Sequence, residues 1–461
     1  MARSSDVLWT VLTTGAGAGF QILQMMVAAR YFSATDFGAL AIVNITTMIV
    51  LGLQDMGLSS FCIHLGEASP RSNSTLFWIS AALGVMVGLV VVAFAPLLET
   101  FYAIPELKTL LQLAAINFAL IGFGGQYQAH LIRVFKARRL AQIELFARCV
   151  SFAITLLLIT QIRLGTMAIV IGLLSFATLK LALMAMVADR TWHPRLEFDT
   201  NLAPNALKYG AYQAGSQVIN QLRSQLDQLI IGKALGPESL GLYSLAKELL
   251  SYPMRFLQPL ISRLTLPSFA SVKEDPVRLR RDFKRSARRT LILSAIVHGA
   301  LGLLATWIVE VMYGARFISI APLIPTMVLF GALRPLGFVI GMLAQATGQT
   351  GKEFAWNIWS TVITLPCLAL VARFYPTVEG FAINLSVTQV LITFAMYPFF
   401  LKPIDRIGAI SYLKTWTEAF AISLVSMLLA RTFTLPSLTE TYVTLIAAAH
   451  QIMASLLRLI I

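Results

Sequence analysis

Charge is scarce in this chain. Only 13% of its 461 residues are Asp, Glu, Lys or Arg, against roughly a quarter in a typical soluble domain. A water-soluble globule of this length is excluded, because too few polar side chains remain to clothe its surface. Cysteine is scarcer still. Cys62, Cys149 and Cys367 form no CxxC and have no histidine at ligand spacing, so they read as small core residues and neither a disulfide framework nor a metal site is predicted. Signatures of covalent chemistry are missing too: there is no HExxH, Asp-x-Asp or GxSxG. The stretch "GQTGKEF" (Gly348–Phe354) has a Gly-Lys pair but neither the first glycine of a P-loop nor the Ser/Thr that should follow. Loops reach only about 20 residues, too short to carry a catalytic module beside the membrane. No catalytic residue and no cofactor is predicted, and energy must come from a substrate or ion gradient.

What fills the chain instead is apolar. Leu76–Leu98, Thr290–Val309, Phe354–Ala372 and Gly380–Leu401 are each free of charge, and roughly 20 such residues cross the hydrocarbon core as helix. The strands of a β-barrel would alternate in short segments. The fold class is therefore an all-α polytopic membrane protein. Charges and Gly/Pro breaks predict about fourteen transmembrane helices, centred near residues 18, 50, 87, 119, 153, 175, 220, 255, 299, 333, 363, 390, 423 and 450. The apolar stretch Val7–Ala29 is too long for the core of a cleaved signal peptide.

The net charge of +14 does not point to nucleic acid, because of where the charge lies. On this topology with the N-terminus inside, the outer loops hold only Arg30, Lys108, Arg163, Lys233, Arg316, Arg373 and Arg431, while most other Lys/Arg fall on inner segments. This is the positive-inside pattern; both termini are predicted to be cytoplasmic. The block "KEDPVRLRRDFKRSARR" (Lys273–Arg289) reads as a cytoplasmic loop near anionic lipid head groups.

Two loops are nearly the same. "ARYFSATDFGAL" (Ala29–Leu40) and "GKALGPESLGLY" (Gly232–Tyr243) align without a gap at an offset of 203 residues, pairing Arg30 with Lys233 and Gly38 with Gly241. Six spans separate them, an even number, so the copies share one orientation. Two pseudo-symmetric six-helix lobes are predicted, residues 1–189 and 203–401, with two additional helices in 402–461. Such lobes around a central cavity suit alternating access.

The seventh span, "KYGAYQAGSQVINQLRSQLDQLIIGK", is unusually polar. At 100° per residue, Gln213, Gln217, Asn220, Gln221, Ser224, Gln225, Asp227 and Gln228 fall within about 160° of arc. Val218, Ile219, Leu222, Leu226, Leu229 and Ile230 fill the opposite sector. Either the polar face lines a cavity or its amides hold a helix interface. Charges inside spans are Arg223, Lys247, Arg255, Arg263 and Arg334, against Asp55, Asp227 and Glu248. Arg334 stands between two long uncharged runs, near the middle of a span. A cationic excess in a membrane cavity suits an anionic ligand, and guanidinium grips phosphate oxygens well. The candidate substrate-binding set, for pyrophosphate and sugar, is Arg334, Arg223, Lys247, Arg255, Gln217, Asn220, Gln221 and Ser224. Asp55, Asp227 and Glu248 are candidates for ion or proton coupling, as is His298. Internal ion pairs that merely orient helices are the competing reading.

The stretches "AARYFSATDFGALAI", "LQDMGLSS", "APNALKYGAYQAGSQVINQL", "GPESLGLYSLAKELLSYPMRFLQPLISRLTLPSFASVKEDPVRLRRDF" and "MYGARFISIAPLIPTMVLFGALRPLGFVIGMLAQATG" together resemble the polysaccharide-transporter family of the multidrug/oligosaccharidyl-lipid/polysaccharide (MOP) flippase superfamily. They are most similar to colanic-acid-type exporters. The resemblance implies transfer of undecaprenyl-pyrophosphate-linked repeat units from the cytoplasmic to the periplasmic leaflet of the bacterial inner membrane. It implies as partners a polyprenyl-linked oligosaccharide, the lipid bilayer and the polysaccharide polymerase and export machinery, and no nucleic acid. The first span departs from some flippases of the superfamily in carrying no Arg or Lys between Arg3 and Arg30. The alternatives are a multidrug/cation antiporter of the same superfamily, which should favour acidic and aromatic cavity groups, and a non-transporting membrane scaffold.

Overall fold

The computed structural model describes residues 4–55, 70–133, 137–188, 194–199, 202–402 and 408–433, and among these every regular element is helical. The chain opens with α1 (Ser4–Tyr31) and α2 (Ala34–Asp55), then α3 (Pro70–Tyr102), α4 (Leu107–Arg133), α5 (Ala137–Leu157, prolonged by a π-turn over Leu158–Ile162) and α6 (Met167–Ala188). It continues with α7 (Leu202–Ala234), α8 (Gly236–Ser271), α9 (Pro276–Leu303) and α10 (Ala305–Tyr313). After a 3-10 turn at Ala315–Ile320 come α11 (Leu323–Thr326), α12 (Val328–Leu333), α13 (Pro335–Ala346), α14 (Thr350–Phe374), α15 (Val378–Met396) and α16 (Ala409–Phe433).

These helices cover the first thirteen expected centres; the fourteenth, near residue 450, lies outside the described residues. Among the described residues nine helical stretches are by themselves long and apolar enough to cross a membrane. A tenth forms if α9 and α10, bent by 74° at Leu304, count as one broken span. α1, α7 and α8 miss that test, α7 because of its row of amides and α8 because it carries charges and three internal prolines, Pro253, Pro259 and Pro267.

Local chemistry explains the ends. Ser33 and Asp36 form a capping box at the start of α2: the Asp36 amide donates to Ser33 Oγ at 3.2 Å and the Ser33 amide to Asp36 Oδ2 at 2.8 Å. At the equivalent place before α8 the chain uses Gly236, whose φ of +85° suits only glycine, and Pro237 as the first full residue. Asp275 caps α9 by accepting from the amides of Val277 and Arg278. The basic block is thus not a loop: most of it forms the first turns of α9. The reason is its spacing, which buries Leu279, Phe283 and Ala287 on one side while Arg278, Arg281, Arg285 and Arg288 stay exposed.

The chain divides into two compact units. The first comprises Met1–Leu245 with Thr364–Phe381, the second Ala246–Ile363 with Ala382–Ile461. In the first, α3 packs on α4, α1 on α5, α6 on both α4 and α5, and α2 on α7. The segment 194–199 is tied to the start of α3: Trp78 Nε1 donates to the Arg195 carbonyl at 2.9 Å, and the Asp199 amide to Thr75 Oγ1 at 2.7 Å. In the second, α9 packs on α12, α13 and α16 around Phe283, Leu291, Leu336, Ile340, Leu343 and Trp416. Arg288 and Glu418 join α9 to α16 through two contacts of 2.9 Å.

The span around residue 333 is not one helix. Its first break, at Met327, coincides with a hydroxyl inserted into the backbone ladder. Ser386 Oγ on α15 donates to the Thr326 carbonyl at 2.6 Å and accepts from the Phe330 amide at 3.3 Å, taking the place of the direct bond between them. The second break is Pro335, which brings no amide hydrogen to the Gly331 carbonyl four residues earlier. Arg334 sits at this second break.

Candidate functional site

The repeated loops meet. Within the first unit, the start of α2 crosses the start of α8 so closely that a Cβ on Gly38 would overlap the Pro237 carbonyl oxygen, and a Cβ on Gly241 would overlap that of Ala34. Ala34 and Pro237 are 203 positions apart, as are Gly38 and Gly241. Each glycine therefore touches the sequence equivalent of its partner's neighbour, the signature of local two-fold symmetry. The loop is written twice because both copies build one crossing, and each must omit its Cβ.

On α7 the predicted polar face is exposed at Gln217 and buried at Asp227 and Gln228. Ile219 and Leu222 are exposed (42% and 40%), as a lipid-facing side requires. The amides are arranged along a second side, against α2. Gly52 of α2 lies against Gln217, with an added Cβ 3.4 Å from the Gln217 Cβ. One and two turns on, Gln221 and Gln225 both point their amide nitrogens at the sulfur of Met48, at 3.2 and 3.6 Å. Thioether sulfur is a weak acceptor, so these amides keep most of their hydrogen-bonding capacity. Arg223 donates to Asn220 Oδ1 at 2.9 Å, Ser224 to the Gln221 carbonyl at 2.8 Å and Gln228 to Gln225 Oε1 at 2.6 Å. Asp227 is buried and accepts from the Tyr243 hydroxyl at 2.6 Å. The Asp55 and Gln213 side chains lie outside the described residues.

In the second unit, Arg255 pairs with Glu248 at 2.7 Å and its Cζ lies 5.4 Å from the centre of the Tyr252 ring. The pair joins positions seven residues apart on one helix, two turns along the same face. Lys247 is buried. Arg334 is half-buried, with its guanidinium carbon 5.0 Å from the centre of the Phe330 ring. A guanidinium beside an aromatic face is held by a cation–π contact, and its planar fork is the geometry that suits phosphate oxygens. The Arg263 side chain lies outside the described residues.

Sequence reasoning passed over two charged contacts in the first unit. Lys180 on α6 donates to Glu144 on α5 at 2.6 Å and to Gln128 on α4 at 2.9 Å. One turn along α5, Arg148 lies with Cζ 4.8 Å from the centre of the Phe176 ring, and the absent side chain of Gly17 gives it room against α1. A cation thus reaches the first span at Gly17 from another helix, in the stretch before Arg30 where that span has none of its own. The i, i+4 spacing of Glu144 and Arg148, beside a lysine inside the apolar run of α6, was the available signal.

The polysaccharide biosynthesis protein family matches residues 27–322 of the chain. The amylovoran biosynthesis protein AmsL of Erwinia amylovora is 41% identical over 365 residues, covering 79% of this chain and 94% of AmsL. The lipopolysaccharide biosynthesis protein WzxC of Escherichia coli K12 is 25% identical over 92% of this chain and 86% of WzxC. Among solved structures, the lipid II flippase MurJ in an inward closed conformation superposes with a TM-score of 0.68 at 15% identity, covering 95% of this chain and all of MurJ's. At that identity the likeness establishes the fold.

Proposed function

The chain belongs to the polysaccharide biosynthesis protein family, and from that premise we propose that it flips a lipid-linked oligosaccharide, an undecaprenyl-pyrophosphate-linked repeat unit, from the cytoplasmic to the periplasmic leaflet by alternating access. It is a membrane transporter and not an enzyme. The observation that carries the reading is the chemistry inside its helices: a row of amides on α7 with Arg223 among them, and the aromatic-backed guanidinium groups of Arg255 and Arg334. Pyrophosphate calls for such cations, and sugar hydroxyls for amides that both donate and accept. Lys247 adds a further positive charge, and the polyprenyl tail stays in lipid. Asp55, Asp227 and Glu248 are the carboxylates available to couple an ion. Two six-helix lobes, residues 1–189 and 203–401, would rock against each other, and the crossing at Gly38 and Gly241 would be where their equivalent loops close. The polysaccharide polymerase and export machinery would take over the product.

A deletion strain should accumulate the lipid-linked intermediate, and the purified protein in vesicles should move lipid-linked sugar but not cationic dyes. Transport of dyes alone would turn the assignment to a multidrug antiporter.

The charge distribution orients the protein with both termini in the cytoplasm of a bacterium, in its inner membrane. Single cysteines placed in Ser271–Arg289 should react only with reagent that reaches the cytoplasm, and those in Gly236–Gly241 with periplasmic reagent. Periplasmic labelling within the basic block would reverse the orientation.

For the amide row, changing Gln217, Gln221 and Ser224 together to leucine should abolish export with membrane abundance nearly unchanged, because residues compatible with lipid keep the helix inserted. Glutamine at Leu222 and Leu226 should instead lower abundance, since each polar group turned to lipid costs about 1–3 kcal/mol. Equal behaviour of the two sets would rule out the two-faced helix.

A further inference from the structure

His298 on α9 is fully buried, and both of its ring nitrogens face carbonyl oxygens. Nδ1 lies 2.8 Å from the Ser294 carbonyl one turn earlier, and Nε2 lies 3.1 Å from the Leu250 carbonyl on α8. The Ser294 hydroxyl stands 3.2 Å from Nδ1 and 3.2 Å from the Gly331 carbonyl, the one that Pro335 leaves without a helical amide. Counting protons distinguishes the states of the ring by which carbonyls they leave without a donor. Carbonyls only accept, and neutral imidazole carries one N–H; with that proton on Nε2, Nδ1 faces the Ser294 carbonyl and its one donor is the Ser294 hydroxyl, which then cannot donate to Gly331. The imidazolium donates at both nitrogens, which frees the Ser294 hydroxyl to donate to Gly331. Every polar atom of the cluster is then matched. Gly331 is part of the fit, because a Cβ there would overlap the imidazole ring.

We propose that His298 is a proton-binding site coupled to transport, filled while the Leu250 carbonyl is in reach and emptied when α8 moves away from α9. This inference rests on the flippase reading given above. A buried charge is sustained only by full hydrogen bonding, and helix shifts of about 1–2 Å are ordinary in switching proteins. A shift of that size at Leu250 removes one of the two acceptors and with it the proton's place. α8 carries Pro253 three residues beyond Leu250, where its backbone ladder is already interrupted. On the other side, Gly331 lies three residues before Arg334, so the state of the ring bears on the segment that presents the proposed phosphate-gripping cation. The charged residues nearest in sequence on surrounding elements are Lys247, Glu248 and Arg255 on α8, Arg334 beyond Gly331, and Lys414, Glu418 and Arg431 on α16. Among the described residues none of them is a polar partner of the ring; Glu248 is held by Arg255 and Glu418 by Arg288.

Two measurements test the site. The chain has five histidines, and in nitrogen-resolved NMR spectra of the purified wild-type protein the His298 signals are those that resist exchange with water and vanish in His298→Gln. Both of its nitrogens should carry a proton at the acid end of the range of about pH 5–8. A fluorescent undecaprenyl-pyrophosphate-linked saccharide should displace the titration. In vesicles, flipping of the same probe by the wild type should rise under an imposed pH gradient, and His298→Gln should lose that response. A ring that stays neutral throughout the range overturns the proposal, and so does a gradient response that survives in His298→Gln. The spectra read the ring without any transport, so a wild type that flips nothing would count against the flippase reading and leave the proton site judged by its titration.

Discussion

Gly38→Ala and Gly241→Ala are each expected to abolish or sharply reduce export, although each adds a single methyl group. In both cases the added carbon would overlap a backbone carbonyl oxygen on the opposing chain, of Pro237 or of Ala34. Backbone cannot rotate aside as a side chain can, so the helices must separate. Overpacking of this kind costs about 1–3 kcal/mol, enough to shift a conformational equilibrium between closed and open crossings about five- to 150-fold. Because the contacts are reciprocal, the two variants should share one phenotype, including greater accessibility of a cysteine placed at Ala34, which is half-buried at the crossing. Gly19→Ala is the control: nothing lies within 4 Å of its added carbon, and in a helix alanine is favoured over glycine by up to about 1 kcal/mol. Export and labelling measured side by side decide the matter. Wild-type behaviour of both crossing variants would show that the close approach is no part of the working cycle.

Arg334→Leu should retain normal abundance and lose flipping. A guanidinium turned to lipid costs about 2.5 kcal/mol or more on insertion scales, so a purely structural arginine should be replaced by leucine at little cost, apart from any partner left behind. If the arginine grips phosphate, leucine removes function and spares the fold. Arg334→Lys should recover part of the activity, because ammonium keeps the charge and loses both the planar fork and the stacking on Phe330. Phe330→Leu should give a milder defect, in line with a cation–π contact worth about 0.5–2 kcal/mol. The quantity to measure is lipid-linked oligosaccharide in the outer leaflet per protein in the membrane. Full activity of the leucine variant would move Arg334 out of the substrate site.

Much of the architecture is legible without coordinates, because the forces that place a membrane helix are local. Some twenty apolar residues between charges must span as helix, and the helices duly cover the first thirteen predicted centres. The polar arc of α7 follows from the angle per residue alone. So does the equivalence of Gly38 and Gly241, which needs only alignment of the chain with itself. Local readings failed where a neighbour from a distant part of the chain intervened. The basic block read as a loop because its charges outnumber its apolar residues, yet Leu279, Phe283 and Ala287 recur at helical spacing and have a core to enter. The span around Arg334 read as continuous; Pro335 was visible, whereas the Ser386 hydroxyl that opens the turn at Met327 comes from 60 residues away.

The candidate site divides along the same line. Which residues are polar within the spans, and that cations exceed carboxylates, is a property of composition and period. Whom each one meets depends on packing across long separations: Gln221 and Gln225 on Met48, Lys180 on Glu144 and Gln128, and His298 on carbonyls from two helices. A hydrogen bond has a range of about 3 Å, so its partner is settled only when the helices are packed. Hydropathy is summed over the length of each span and needs no neighbour, which is why the sequence alone yields the membrane helices and the repeat, and only the tertiary structure yields the crossing, the ion pairs and the doubly bonded histidine.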